Sequence, residues 1–193
     1  MFLFSKNDII ISVSSKPSSL GFYILNQNYG VIKLKNKQKI RGVAVGAVVA
    51  ALYVVLTYLA NMLGLASGAI QVRLSEILTV MPVFTPFAIP GLFIGCVLAN
   101  ILTGCALWDV VFGSLATLVG AVGTYLLRKN NLLAVVPPIL SNAIIVPFVL
   151  LNVYALEGTY FYFFATVIIG EIISCGVFGT FLLKSLKKYD KFL

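Results

Sequence analysis

Long uncharged runs of apolar residues alternate along the chain with short stretches that carry charge. No charged residue lies between Arg41 and Arg73, or between Glu76 and Asp109. The later uncharged runs are 110–127, 130–156, 158–170 and 172–183. A helix needs about 20 apolar residues to cross the ~30 Å hydrocarbon core of a bilayer. The pattern therefore predicts an all-α protein that crosses a membrane several times.

Six membrane-spanning helices in one bundle fit these runs. The run between Glu76 and Asp109 is too long for one helix, and it contains three prolines. Because proline ends or kinks a helix, we predict a break there into two helices. The first of the two is short, which allows an irregular backbone. The predicted spans are 42–64, 73–86, 89–104, 107–128, 132–153 and 159–184.

The distribution of lysine and arginine predicts the orientation of the bundle. Six spans put both termini on the same side of the membrane. That side receives every basic cluster, and the other side receives Arg73 alone. Basic residues concentrate in cytoplasmic loops, so we expect both termini in the cytoplasm. The clustered residues are Lys33, Lys35, Lys37, Lys39, Arg41, Arg128, Lys129, Lys184, Lys187, Lys188 and Lys191.

Composition excludes several classes of protein. Apolar residues make up 60% of the 193 residues and charged residues 10%, too few to cover a soluble monomer. The absence of histidine removes Ser-His-Asp and Cys-His catalysis and histidine-ligated zinc. The three cysteines form no CxxC pair, and no Walker-type phosphate loop is present. We therefore expect no catalytic residue, metal or cofactor. The net charge of +8 follows the membrane topology and predicts no nucleic-acid partner.

Residues 1–40 differ from the rest, so we divide the chain into an extension, 1–40, and a membrane domain, 41–193. The extension is rich in serine and asparagine and has no signal-peptide core. It is either a poorly ordered cytoplasmic tail or the product of a mis-called start. The methionine after Met1 is Met62, so a non-ATG start near Val31 or Leu34 would be missed.

Small residues recur four apart at the start of the first span. Gly42, Gly46 and Ala50 form one stripe, and Ala47 and Ala51 form the next. Such stripes let another helix approach closely. They serve either packing within this bundle or docking to a different membrane subunit.

Polar residues near the outer membrane face have two interpretations. Arg73 and Glu76 are three apart, so on a helix they share a face. With Gln71 they form either an interfacial anchor or a wall of a ligand pocket. Trp108 and Asp109 open the fourth span. The tryptophan suits the membrane interface, and the aspartate interacts favourably with the helix dipole in the first turn. The same pair would also suit a flat heterocycle that donates hydrogen bonds.

Two further polar residues lie inside predicted spans. Glu171 is deep in the sixth span, where a carboxylate is costly and by default marks a functional site. Asn142 lies inside the fifth span. They are either functional residues or a hydrogen-bonded structural pair. This intramembrane polar set consists of carboxylate and amide groups and includes no lysine or arginine, which favours a neutral or cationic ligand rich in N–H donors.

The stretch from Arg41 to about Lys184 resembles the QueT family, the substrate-binding S components of energy-coupling-factor (ECF) transporters for queuosine precursors. The resemblance is carried by the small-residue start of span 1, Gly68-Ala-Ile-Gln-Val-Arg-Leu-Ser-Glu, Pro90-Gly-Leu-Phe-Ile-Gly-Cys-Val-Leu-Ala-Asn, Trp108-Asp-Val-Val-Phe-Gly-Ser-Leu-Ala-Thr and Gly170-Glu. It implies a six-helix protein of the bacterial cytoplasmic membrane with an outward-facing pocket. Its partners would be a transmembrane T component, contacted by Ala47 and Ala51, and two ATPase subunits that hydrolyse ATP.

The implied ligand is a 7-deazaguanine: the 7-cyano form, the 7-aminomethyl form or queuine. A carboxylate can accept the ring N–H and the exocyclic NH₂ together, and Glu171 and Asp109 are the candidates. Glu76 could pair with an aminomethyl cation, and Asn142 or Gln71 could bind the ring carbonyl. Arg73 would complete the polar wall, and Trp108 could stack on the ring. The alternatives are an S component for another vitamin, such as riboflavin or thiamine, and a membrane assembly subunit without a ligand.

Overall fold

The computed structural model describes residues 19–65, 71–155 and 157–189, with side chains from Gln38 onward. The chain divides into two compact units, Met1–Ile40 and Arg41–Leu193. The predictions of poor order or a mis-called start for residues 1–40 remain predictions. Residues 1–18 lie outside the described part. The described part also excludes Lys191 and the side chains of Lys33, Lys35 and Lys37, on which the predicted orientation partly rests.

Every regular element in the described ranges is helical, and these ranges contain no strand. Helix α6 continues through a π-helical segment into α7 without a break. The elements are α1 (Ser19–Met62), a 3₁₀ helix (Leu74–Val83), α2 (Ala88–Leu102), α3 (Leu107–Leu126), α4 (Asn131–Ala134), α5 (Val136–Asn152), α6 (Tyr160–Glu171), the π segment (Ile172–Gly179) and α7 (Thr180–Tyr189).

Within the part of the chain that the structure describes, four helical stretches are long and apolar enough to cross a bilayer: Gln38–Met62, Leu107–Leu126, Asn131–Asn152 and Tyr160–Lys188. The predicted all-α, multi-pass membrane protein is thereby confirmed. The six predicted spans each coincide with a helical segment, but Leu74–Val83 and Ala88–Leu102 are shorter than the other four. The number of crossings and the side on which the termini lie remain predictions.

The predicted break at the prolines is present. The 3₁₀ helix ends at Val83, and α2 begins at Ala88 after Pro86. At 2.0 Å per residue the 3₁₀ helix is about 20 Å long, and α2 at 1.5 Å per residue is about 22 Å long. Irregular backbone is tolerated at membrane depth where protein surrounds it. The 3₁₀ helix meets this condition because six of its ten residues are buried, including Ser75 and Glu76.

Glycines set the close helix contacts of the membrane unit. Gly91 of α2 lies so near α1 that a Cβ there would collide with the carbonyl oxygen of Gly46. A Cβ at Gly95 would lie 2.8 Å from Cβ of Tyr53. Helix α3 packs against α2, α5 and the 3₁₀ helix, and the 3₁₀ helix packs on the π segment. These contacts bring the two irregular helices together in the interior.

Candidate functional site

A cavity of about 260 Å³ opens among the helices of the membrane unit. Its walls come from α1, the segment before the 3₁₀ helix, α2, α3 and the end of α5. The lining side chains are Tyr53, Thr57, Ala60, Asn61, Gln71, Arg73, Ser75, Asn100, Thr103, Cys105, Asp109, Leu150 and Tyr154. Most of them carry hydrogen-bonding groups, so the cavity suits a polar ligand.

One wall of the cavity is built around Asp109 in the first turn of α3. The Tyr154 hydroxyl donates a hydrogen bond to Oδ2 of Asp109 at 3.1 Å and accepts one from the backbone N–H of Ala106 at 3.2 Å. Partial burial and the Asp109 carboxylate raise the pKa of Tyr154 to about 12. The hydroxyl therefore keeps its proton, and its donor role, at physiological pH.

A second polar group lies beside the cavity and consists of Glu76, Asn142 and Glu171, here called the acceptor cluster. Its members come from the 3₁₀ helix, α5 and the end of α6, and all three are buried. Nδ2 of Asn142 donates to Oε1 of Glu171 at 3.0 Å. Oε1 of Glu76 accepts from the Tyr53 hydroxyl at 2.6 Å. Three distant parts of the sequence thus meet at one point.

Two local features bring the cluster together. Gly170 precedes Glu171, and a Cβ there would collide with the backbone oxygen of Gln71. The missing side chain lets α6 approach the segment that leads into the 3₁₀ helix. Arg73 then takes an extended conformation, with φ −93° and ψ 99°, and Glu76 follows in the first turn.

The acceptor cluster has more acceptors than donors. Oε2 of Glu76, Oδ1 of Asn142 and Oε2 of Glu171 are buried and have no hydrogen-bond partner among the described residues. Arg73 interacts electrostatically with both carboxylates but donates no hydrogen bond to these atoms. Because buried polar atoms are nearly always paired in folded proteins, three orphan acceptors in one place need an explanation.

The predicted ligand-binding residues separate into three groups. Gln71, Arg73 and Asp109 line the cavity. Glu76, Asn142 and Glu171 form the acceptor cluster. Trp108 is 59% exposed, stacks on Phe112 with 5.9 Å between ring centroids, and does not line the cavity. The individual roles remain predictions.

The expectation of a polar interior without an arginine needs a correction. Arg73, expected at the outer face, is only partly exposed, lines the cavity and interacts with Glu76, Asp109 and Glu171. The extended backbone of Arg73 thus brings its guanidinium to the cavity and to these carboxylates.

Sequence reasoning missed the contribution of α1 to the cavity. Tyr53, Thr57 and Asn61 all line it. They are spaced by four, so on a helix they form a polar stripe on one face. This spacing was readable in the sequence, as was the need of a buried tyrosine hydroxyl for a partner.

The two small-residue stripes of α1 have different surroundings. A Cβ at Gly46 would lie 2.7 Å from the backbone oxygen of Phe87, so this stripe packs within the chain. Ala47 and Ala51 are exposed. They line an apolar groove of about 570 Å³ between α1 and α2, here called the α1–α2 groove. The other lining residues are Val43, Gly46, Ala50, Val54, Phe87, Pro90, Gly91, Ile94 and Leu98.

The described residues, 19–65, 71–155 and 157–189, contain no group of three or more histidine, cysteine, aspartate or glutamate side chains that could hold a metal ion. Cys96 and Cys175 are free and buried, and Cys105 is free and partly exposed. These thiols lie apart from one another as packing or hydrogen-bonding groups, such as Cys175 against Thr79 at 3.2 Å.

The fold and the cavity define a multi-pass helical membrane protein with a polar cavity inside its bundle, the kind of place where small molecules bind. Sequence comparison is more specific: residues 43–188, about three quarters of the chain, match the family described as QueT transporter. The chain belongs to this family, which confirms the resemblance found in its sequence.

A curated relative is the queuosine precursor transporter QueT of Lactococcus lactis subsp. cremoris (strain MG1363). It is 39% identical over 84 residues, which cover 43% of this chain and 48% of the relative. The match thus spans about half the length of that relative. No solved structure matches the chain.

Proposed function

We propose that this protein is the substrate-binding S component of an ECF-type importer and that it binds a queuosine precursor in the cavity. The ligand is a 7-deazaguanine: the 7-cyano form, the 7-aminomethyl form or queuine. A T component and two ATPase subunits complete the transporter, and ATP is hydrolysed on those partners.

The observation that carries the proposal is the position of the polar cavity within the family match. Every cavity-lining residue lies between Tyr53 and Tyr154, inside the matched residues 43–188. The cavity is rich in amide, hydroxyl and carboxylate groups, and its one guanidinium, Arg73, faces several acidic side chains. A small heterocycle with N–H donors and a ring carbonyl is complementary to such walls.

The proposed topology has six crossings with both termini in the cytoplasm. It is supported by the lysine and arginine distribution and by six helical segments at the predicted positions. The 3₁₀ helix completes its crossing inside the bundle, where protein replaces lipid.

The proposed docking surface for the T component is the α1–α2 groove. Its lining is almost wholly apolar, and the exposed Ala47 and Ala51 leave room for a second helix. In a bilayer such close approach favours association through van der Waals packing.

The test is a ligand titration of the purified chain in nanodiscs. The ligands are 7-cyano- and 7-aminomethyl-7-deazaguanine, with guanine and riboflavin as controls. Binding is followed by calorimetry, by thermal stability and by the fluorescence of Trp108, the single tryptophan. Asp109, its neighbour in α3, lines the cavity, so an occupied cavity should change this signal.

We expect saturable binding of at least one deazaguanine and no binding of riboflavin. Stabilisation by riboflavin alone would keep the S-component class but overturn the substrate. No response from a folded protein to any of the four ligands would favour an assembly subunit over a transporter subunit.

A further inference from the structure

The orphan acceptors of the acceptor cluster indicate what the missing partner must supply. Glu76 is fully buried, Asn142 is 1% exposed and Glu171 is 4% exposed. Each has one buried oxygen without a donor among the described residues. The unpaired amide oxygen of Asn142 belongs to a neutral side chain, so it indicates a missing donor separately from the two acidic groups. A bound molecule that satisfied all three atoms would need several N–H or O–H donors and few acceptors.

The cluster is next to the cavity. Tyr53 lines the cavity and donates its hydroxyl hydrogen to Glu76. Arg73 also lines the cavity and interacts electrostatically with Glu76 and Glu171. Ser75, another lining residue, precedes Glu76 in the chain. Tyr53, Arg73 and Ser75 thus link the cluster to the cavity.

We propose that Glu76, Asn142 and Glu171 form the inner, specificity-determining subsite of the cavity and bind the edge of the ligand that carries its ring N–H and exocyclic amine. This inference rests on the proposed function and adds which side chains recognise the ligand. Asp109 and Tyr154 then belong to the outer part of the cavity. The subsite selects 2-amino heterocycles over those without the amine, because only the former supply enough donors.

The experiment is a cycle of one protein change and one ligand change. The protein change is Glu171→Gln, which replaces one carboxyl oxygen by an amide NH₂ group of similar size. The ligand change is from 7-aminomethyl-7-deazaguanine to its analogue without the 2-amino group. Dissociation constants are measured by calorimetry in nanodiscs. Glu157→Gln is the matched control, because Glu157 is exposed in the connection between α5 and α6 and does not line the cavity.

We expect the loss of the ligand amine to weaken binding to the wild-type protein by about tenfold to a hundredfold, as for a buried acceptor left without its hydrogen-bond donor. Glu171→Gln should weaken binding of the amine-bearing ligand by a similar factor. The two changes together should cost little more than either one, and Glu157→Gln should change nothing. Glu76→Gln provides a second cycle if Glu171→Gln does not fold.

Three results would overturn the inference. One is wild-type binding that is indifferent to the 2-amino group. Another is a fully additive cycle, in which carboxylate and amine act independently. The third is a Glu171→Gln protein with unchanged affinity and altered thermal stability, which would make the cluster a structural, proton-sharing pair. If the wild-type protein binds neither ligand, the proposed function fails, and this outcome is distinct from the other three.

Discussion

Helix α1 carries two faces of opposite chemistry over the same few turns. One face presents Tyr53, Thr57 and Asn61 to the polar cavity. The other presents Ala47 and Ala51 to the α1–α2 groove. Both faces use residues spaced by four, so the helical period alone does not distinguish them. Under the proposed function, one helix would thus separate the binding of a small molecule from the docking of a partner.

The two faces also differ in what stabilises them. A buried polar group must find a hydrogen-bond partner inside the protein, as the Tyr53 hydroxyl does with Glu76. An apolar groove in a bilayer gains nothing from leaving water, so closeness of packing decides its affinity. Changes to the first face should therefore act on ligand binding, and changes to the second on association.

The largest expected effect comes from a change that disturbs both faces. Gly91→Ala would place a Cβ against the Gly46 carbonyl oxygen and force α1 and α2 apart. Overpacking of this kind costs about 1–3 kcal/mol, so we expect a clear drop in thermal stability in detergent. Gly176→Ala is the control, since its Cβ would meet no atom nearer than 3.6 Å. Equal stability of the two variants would contradict the close crossing.

A change confined to the α1–α2 groove should weaken association with the partner and leave ligand binding intact. Ala47→Trp combined with Ala51→Trp fills the groove with two large side chains. We expect at least a tenfold loss of co-purified T component and of ligand uptake by cells, about 1.4 kcal/mol. Ligand affinity of the isolated chain should stay within about twofold, because neither alanine lines the cavity.

Leu52→Trp is the control for the groove variant, since Leu52 is 45% exposed and lies outside the groove lining. A loss of uptake as large as that of the double variant would mean that bulk anywhere on α1 is harmful. In that case the α1–α2 groove would have no special role.

The smallest expected effect comes from a change in the wall of the polar cavity. Tyr154→Phe removes the hydrogen bond to Asp109 at the outer wall. Tyr154 is 39% exposed, so we expect only about 0.5–1 kcal/mol, a twofold to fivefold weaker ligand affinity. Because the pKa of Tyr154 is about 12, the loss should be constant between pH 6 and pH 9. Tyr160→Phe, which loses a hydrogen bond to the Ile144 carbonyl, should leave affinity unchanged.

The sequence was informative wherever charge or proline dominates. Gaps between charged residues located the helical segments after Arg41, though not the part of α1 before it, and prolines located the break before α2. The sequence could not predict that Glu76 lies close to Glu171, 95 positions later, because packing sets the rotation of each helix. Arg73 shows the same limit: its position in the sequence left an interfacial anchor and a pocket wall both open, and the structure places it in the lining of the cavity.

The shortness of α2 has a consequence for the lipid beside it, because Ile94 and Leu98 of this helix are exposed. A helix of about 22 Å beside a hydrocarbon core of ~30 Å creates hydrophobic mismatch, which the bilayer can relieve by thinning locally. Helix α2 forms one wall of the α1–α2 groove, so the deformed lipid lies at the proposed docking surface. A partner that covers this edge releases the deformed lipid, and the elastic energy of the membrane then adds to the attraction between the two proteins.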